Sequence, residues 1–243
     1  MQIVKAELKP LSNIDGNEAL LLIQRIAKTC YKSYKDSDDI ESAKRIVKAL
    51  IDSGHHSLLE NYIITMNYVS NIAAYKDLTR SRVGFSYAIE STRWCNYSKG
   101  KYNGQIKFLD PIEIKDKSSD KYIIWIKAME QAEKNYLEMA SAGALPDQLS
   151  LILPQSTAAE FNITGNLRAW RNLFDLRVLD KTGHARDCIH EIMDPTLELF
   201  HEKIPVVFDD QYELLQENKA KKKIAEVQKL QLKIPFEEYQ QKR

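Results

Sequence analysis

Cysteine is scarce and scattered. Cys30, Cys95 and Cys188 are odd in number and far apart in 243 residues, so no disulfide framework is implied. No Cys-x-x-Cys pair and no His-Glu-x-x-His helix occurs, so the common zinc signatures are missing and no metal centre is expected. Neither Gly-x-Gly-x-x-Gly nor Gly-x-x-x-x-Gly-Lys is present, which removes a Rossmann turn and a P-loop as phosphate cradles. Side chains and helix ends would have to hold any phosphate. An excess of one charge is also missing: 35 Lys and Arg stand against 34 Asp and Glu, a formal charge of +1. That balance gives no global field to draw nucleic acid or an acidic membrane, so an anion site must be local. No uncharged apolar run is long enough to span a bilayer, and the opening Met-Gln-Ile-Val-Lys-Ala-Glu-Leu carries no signal-peptide pattern. A cytoplasmic protein with reduced thiols is expected, with no nucleic-acid or membrane partner.

What is there suits an ordinary globular chain. Apolar residues make up 44% and charged residues 28%, enough for a core and a solvated surface. The length fits one large domain, or a domain with an appendage. Residues 2–8 alternate like a strand, and Asp15-Gly16-Asn17 offers a turn and cap before a helix over Ala19–Lys28. Ser37-Asp38-Asp39 caps a second helix whose face is Ile40, Ala43, Ile46, Val47 and Leu50, and Gly54 ends it. Tyr62–Val69 reads as a strand, and Asn71–Arg82 as a helix stopped by Gly84. The longest helical pattern is Lys121–Ala142, whose stripe from Tyr122 to Ala140 reads as core. A strand over Ala158–Thr164 precedes helices over Asn166–Leu176 and His184–His201. Beyond Phe208 the chain changes character. A lysine run over 219–223, followed by Ile224, Val227, Leu230 and Leu232, suggests a charged amphipathic helix, so 1–210 is taken as the domain and 211–243 as an extension. The pattern predicts an α+β fold, an antiparallel or mixed sheet flanked by helices.

The densest chemistry lies in residues 80–94, Arg-Ser-Arg-Val-Gly-Phe-Ser-Tyr-Ala-Ile-Glu-Ser-Thr-Arg-Trp. Arginine forks grip phosphate oxygens in pairs, and hydroxyls fill the remaining lone pairs. On composition alone, a solvated and salt-bridged helix end explains the segment equally well.

Three segments in one order break that tie. Arg80, Arg82, Ser86, Ser91 and Arg93 fall in an order that resembles the Arg-His-Arg…Ser-x-Arg signature of the flavin-dependent thymidylate synthases, with a spacer one residue longer around Val83–Phe85. Upstream, Gly54-His55-His56-Ser57-Leu58-Leu59-Glu60 is similar to that family's Gly-His-x-Ser-x-x-Glu-His element, with Asn61 in the last place. Downstream, Asn166-Leu167-Arg168 through Asn172 to Arg177 is similar to its Asn-x-Arg-x-x-x-Asn-Phe-x-x-Leu-Arg helix.

The resemblance implies a flavin adenine dinucleotide (FAD) site built from His55, Ser57, Arg80, Ser81, Arg82, Asn166, Arg168 and Asn172. It implies that deoxyuridine monophosphate (dUMP) meets Asp77, Arg80, Glu90, Ser91, Thr92, Arg93 and Arg177. Arg177 would be the catalytic group, its cation stabilising charge on the pyrimidine. It implies methylenetetrahydrofolate and NADPH as co-substrates, deoxythymidine monophosphate (dTMP) as product, and a homotetramer whose active sites are shared between subunits. Taken singly, each residue has a plainer use. Either asparagine suits a cap or an exposed position, and an arginine at a helix C-terminus complements the dipole. Asn166 and Asn172 fall about 120° apart on a helix, which places Asn166 at the N-terminus. Ser91 and Cys95 are the tempting nucleophiles, yet no histidine is close in sequence to activate either. Ser91 is read as a hydrogen-bonding group and Cys95 as a small buried residue.

The departures are specific. Ser81 stands where the family has histidine, Trp94 where it has tyrosine, Asp77 where it usually has glutamine, Ile89 where a polar residue is usual, and Ser150 where an arginine often assists. A carboxylate at 77 would repel phosphate unless a cation compensates, and Lys76 or Arg168 is expected to do so. Two alternatives stay open: a flavin and folate enzyme making another 5-substituted pyrimidine nucleotide, such as a hydroxymethyl product, or a non-catalytic nucleotide- or flavin-binding subunit.

Overall fold

The structure is a computed structural model and describes residues 1–32 and 39–231. In chain order it has strands β1 (Gln2–Val4) and β2 (Glu7–Pro10), helices α1 (Gly16–Tyr31) and α2 (Ile40–Asp52), strand β3 (Ile63–Asn71), and helix α3 (Ile72–Leu78). Strands β4 (Phe85–Ile89) and β5 (Lys107–Leu109), helices α4 (Asp120–Ser141) and α5 (Pro146–Ser150), and strand β6 (Ala158–Asn166) follow. Helices α6 (Leu167–Arg177), α7 (Asp187–Lys203) and α8 (Asp209–Gln231) close the chain.

Antiparallel pairing builds a four-stranded sheet in the order β2-β3-β6-β4. Its register sets Asn67 opposite Asn162 and Tyr68 opposite Phe161. Period two then sends Ile64, Met66, Tyr68, Phe161 and Ile163 into the main core, which α1, α2, α6 and α7 cover. The other face is polar: Thr65 bonds Thr164 at 3.0 Å, and Asn67 donates to Asn162 and Glu160 at 2.8 and 2.9 Å. A slip of one residue would exchange these two faces, so the pattern fixes the register. The fold is α+β with an antiparallel sheet flanked by helices, as expected.

Local chemistry explains most boundaries. Asp15, Asp39, Asn71, Ser119 and Asn166 each cap a helix by accepting a backbone N–H. Of the cap predicted for the second helix, Ser37 and Asp38 lie outside the described residues. The opening strand divides, because β1 pairs in parallel with β5 while β2 pairs with β3. The helix expected to reach Arg82 ends at Leu78, and a further strand, β4, follows Gly84. The stripe of α4 is covered less than expected: only Met129 and Tyr136 are buried, in a second core with Tyr97, Ile106, Phe108 and Leu149.

The tail helix starts at Asp209, and its first two turns belong to the body of the protein. Buried Arg171 of α6 holds Asp210 through two hydrogen bonds of 2.8 and 2.6 Å and also donates to the Val207 carbonyl. Gln211 returns a bond to the Arg171 carbonyl, and Leu215 joins the main core. Leu232 of the predicted stripe lies outside the described residues. Among the described residues no helix is long and apolar enough to cross a membrane.

Candidate functional site

Helix α6 organises the site, because its two ends gather different groups. At the N-terminal end Asn166 caps the helix, its Oδ1 accepting the Ala169 N–H at 2.9 Å, while its own N–H bonds the Gly84 carbonyl. The Arg80–Gly84 loop is thereby laid across the start of the helix. Gly84 has φ +77°, and a Cβ there would stand 2.8 Å from Ala169 Cβ and 2.9 Å from Asn166 Nδ2. Only glycine allows that approach. Arg80 and Arg82 are exposed and make no ion pair among the described residues.

Arg168 bonds Glu60 at 2.6 Å, tying α6 to the 3-10 turn His56–Asn61. Asn172 is four residues on and exposed, so Arg168 and Asn172 share the outer face of α6. Ser57 is exposed on the same 3-10 turn. His55 precedes that turn and is exposed as well, lining a groove of about 310 Å³ between α1 and α2 rather than the arginine loop. His56 is half-buried.

At the C-terminal end Arg177 is half-buried, and its Nη2 donates to the Asp77 carbonyl oxygen at 3.2 Å. Its Nε is enclosed with no hydrogen-bond partner. Tyr87 stands beside it and donates to the Leu78 and Ser81 carbonyls, pinning the start of the arginine loop. Burial, and then the nearby Tyr75 phenol, push the Tyr87 hydroxyl up to about 12 against the pull of Arg177, so it remains a neutral donor. The Asp77 carboxylate is met by Arg186 at 2.8 Å. The compensating cation is therefore Arg186. Lys76 is exposed and makes no ion pair among the described residues, while Arg168 is engaged by Glu60.

A third group follows β4. Glu90 accepts from Tyr97 and Tyr102 at 3.0 and 3.4 Å, and burial raises both phenols well above their ordinary value. These side chains line a cavity of about 740 Å³ against the polar face of the sheet, with Asn67, Glu160 and Asn162. Ile89 lines it as well. Ser91 is exposed, Thr92 half-buried, and Arg93 reaches Asp147 of α5 at 3.4 Å. Cys95 is half-buried and lines this cavity, more open than the buried residue expected. Trp94 is 85% exposed. Among the described residues no hydrogen bond or ion pair joins Arg177 to Arg93 or to the Asn166–Arg168 turn.

The comparisons with known proteins bear on these same segments. A family model described as thymidylate synthase complementing protein (Thy1) matches residues 14–206, which include every site residue named above. The chain belongs to the flavin-dependent thymidylate synthase family. A flavin-dependent thymidylate synthase from Pyrococcus abyssi is 30% identical over 169 residues, covering 65% of this chain and 67% of the relative. One from Corynebacterium glutamicum is 25% identical over 223 residues, 84% of each chain. Among solved structures, the UMP/dUMP methylase PolB from Streptomyces cacaoi bound with 5-Br dUMP superposes with a TM-score of 0.69 at 18% identity. It covers 86% of this chain and 96% of its own, and speaks for the fold alone.

The residues present fit the ligands of a flavin-dependent thymidylate synthase. Arg80 and Arg82 are cations without an ion pair among the described residues, beside a helix N-terminus, a setting that favours phosphate. The orphaned Nε of Arg177 has hydrogen-bonding capacity that the folded chain leaves unused. Sequence reasoning missed Arg186 and Tyr87, and it placed Glu60 in the upstream element without foreseeing that it holds Arg168. The alternation over Phe85–Ile89 could have revealed β4, and with it Tyr87. Nothing local could have paired Arg186 with Asp77.

Proposed function

We propose that this chain converts dUMP to dTMP, with methylenetetrahydrofolate as the one-carbon donor and NADPH-reduced FAD as the hydride source. The observation that carries the reading is the exposed Arg80–Arg82 pair, without an ion pair among the described residues and laid by Gly84 across the N-terminus of α6. FAD, when bound, supplies the hydride. The chain binds and neutralises. Arg80 and Arg82 meet phosphate, Asn166 and Ser81 shape the loop, and Arg168, Asn172, Ser57 and His55 complete the flavin side. On the nucleotide side Glu90, Ser91, Thr92 and Arg93 hold dUMP, and Arg177 stabilises negative charge growing on the pyrimidine ring. In this reading the catalytic unit takes in residues 1–210 and the first turns of α8, which Gln211 and Leu215 anchor to it, and the rest of 211–243 is an extension.

We infer a homotetramer with shared sites. The ligand groups sit at both ends of α6 and beyond β4, and closed symmetry would let one chain's gap be filled by another's groups.

A second reading rests on Asp77. Its carboxylate, balanced by Arg186 beside Arg177, supports a pocket tuned to a different 5-substituted pyrimidine nucleotide. PolB, described as a UMP/dUMP methylase, makes UMP a second substrate to test. The experiment is the purified protein's flavin absorption spectrum, followed by product analysis with dUMP or UMP, methylenetetrahydrofolate and NADPH. Formation of dTMP is expected. A hydroxymethyl nucleotide would replace the first reading with the second, and bound flavin without product would make the chain a non-catalytic binding subunit.

A further inference from the structure

Asp180, His184 and His190 converge where the turn after α6 meets the first turn of α7. Each offers one ligand atom, and these atoms lie within 4.8 Å of one another. Asp180 Oδ2 is 2.8 Å from His184 Nδ1, and Asp180 Oδ1 is 3.3 Å from His190 Nε2. The two imidazoles stack with centroids 5.4 Å apart. None of the three residues has a part in the proposed reaction.

Two observations point to a ligand. First, among the described residues His190 Nε2 is closed off from solvent and makes no hydrogen bond, and it faces the Asp180 carboxylate at ion-pair distance. Second, Asp194 lies 2.9 Å from His190 Nδ1. A carboxylate only accepts, so a proton is held on Nδ1 and Nε2 points into the cluster. Facing a carboxylate, Nε2 needs positive charge between the two, which a second ring proton or a metal ion can supply. The backbone is committed to this arrangement too: Asp180 adopts φ 54°, and the Ala185 N–H fixes its Oδ1 at 2.8 Å.

We propose that Asp180, His184 and His190 bind a zinc-class divalent cation, with the fourth position left to water and Asp194 orienting His190 from behind. Two imidazoles and one carboxylate are the donor set such an ion prefers. Bond lengths of ~2.0–2.2 Å set tetrahedral ligand atoms about 3.4 Å apart, so the more widely spaced of these atoms must shift inward by roughly 1 Å. His184 can supply that movement, because its side chain is 62% exposed. Lys222 of α8 acts on His190, and Lys219 and Lys221 line the adjoining cavity of about 240 Å³, so the ion would enter against positive charge. Once bound it would clip the 178–186 turn, which carries Arg186, to α7. Familiar zinc spacings do not include Asp-x3-His-x5-His, and the sequence expectation of no metal passed over it for that reason.

The test uses the full chain stripped of metal with a chelator, titrated with Zn²⁺ in a calorimeter and with Co²⁺ in a spectrophotometer. One equivalent of Zn²⁺ per chain and the strong visible bands of four-coordinate Co²⁺ are expected. His184→Ala should weaken binding by on the order of 100-fold while the thermal melt is retained. Asp194→Asn should weaken it by roughly 10- to 100-fold. Absence of saturable binding would overturn the proposal. Equal affinity in wild type and His184→Ala would do the same, by moving the ion elsewhere.

Discussion

Replacing Arg177 by alanine separates what this residue does for folding from what it does for the proposed chemistry. Within the folded chain its guanidinium makes one hydrogen bond, 3.2 Å to the Asp77 carbonyl oxygen, and leaves Nε without a partner. Loss of such a bond costs about 1 kcal/mol. For a chain of this length that lowers the melting temperature by roughly 2–4 °C. On the pyrimidine, a preorganised cationic donor aimed at developing charge is worth about 2.7–4 kcal/mol, so turnover should fall by roughly 10²- to 10³-fold. The two effects differ enough to be told apart. The assay is steady-state dTMP formation at saturating substrates, with a thermal melt of the same preparation. If the interaction exists only in the transition state, kcat and kcat/KM fall together. Arg177→Lys keeps the charge but not the planar fork and should fall between wild type and alanine. Turnover within about threefold of wild type in Arg177→Ala would refute the role.

Arg186→Gln uncovers the Asp77 carboxylate and should raise KM for dUMP by about tenfold with a smaller effect on kcat; stability should change by under ~1 kcal/mol, because the pair is partly solvated. Asp210→Asn leaves the buried Arg171 cation unpaired and should cost about 3 kcal/mol, the lower end for a buried pair because the Asp210 side chain is 53% exposed, read by denaturant unfolding. Burial alone would raise the Asp210 carboxyl, but Arg171 holds it below its ordinary 3.8, so its contribution is present above that pH and lost as pH falls through the lowered value; Asp210→Asn should flatten this part of the acid-stability profile. Burial, and then the Glu113 and Asp110 charges, raise the Glu191 carboxyl above 4.5, so the native state loses stability as pH rises from 4.5 through the raised value; Glu191→Gln should remove that loss and raise the melting temperature at pH 7. Mixing the Arg177→Ala protein with a variant lacking Arg80 and Arg82 should restore some activity if these groups serve one site from different chains, and no recovery after subunit exchange would count against shared sites.

The parts of the fold that were legible in the sequence are those specified locally. Helices α1, α2, α4 and α6 carry a cap and an apolar stripe within one window, α7 carries the stripe without a side-chain cap, and β3 and β6 are long enough to show their character. What was missed depends on distant partners. Residues 2–8 alternate throughout, yet the strand divides because its first part pairs with β5 and its second with β3. The pair Arg186–Asp77 spans 109 residues, and Arg171–Asp210 spans 39. No periodicity encodes either. The tail reading centred on the lysine run, and so overlooked that Gln211 and Leu215 are buried at the start of the same helix.

The legibility of the site divides along the same line. Residue types that bind anions are visible in the sequence because phosphate chemistry needs arginines and hydroxyls in any fold. Their arrangement is not, because it is set by α6. From Arg168 to Arg177 the helix rises about 14 Å, and this length holds the Arg80–Gly84 loop at one end and the Asp77–Arg186 pair at the other. Gly84 and Tyr87 then fix the two ends of the arginine loop, so that Arg80 and Arg82 project outward while Ser81 turns its carbonyl to Tyr87. A substitution within this frame can therefore alter substrate preference without altering the fold. Under the proposed function Asp77 would be such a case, since its charge is already met by Arg186 and its main-chain carbonyl, not its side chain, holds Arg177.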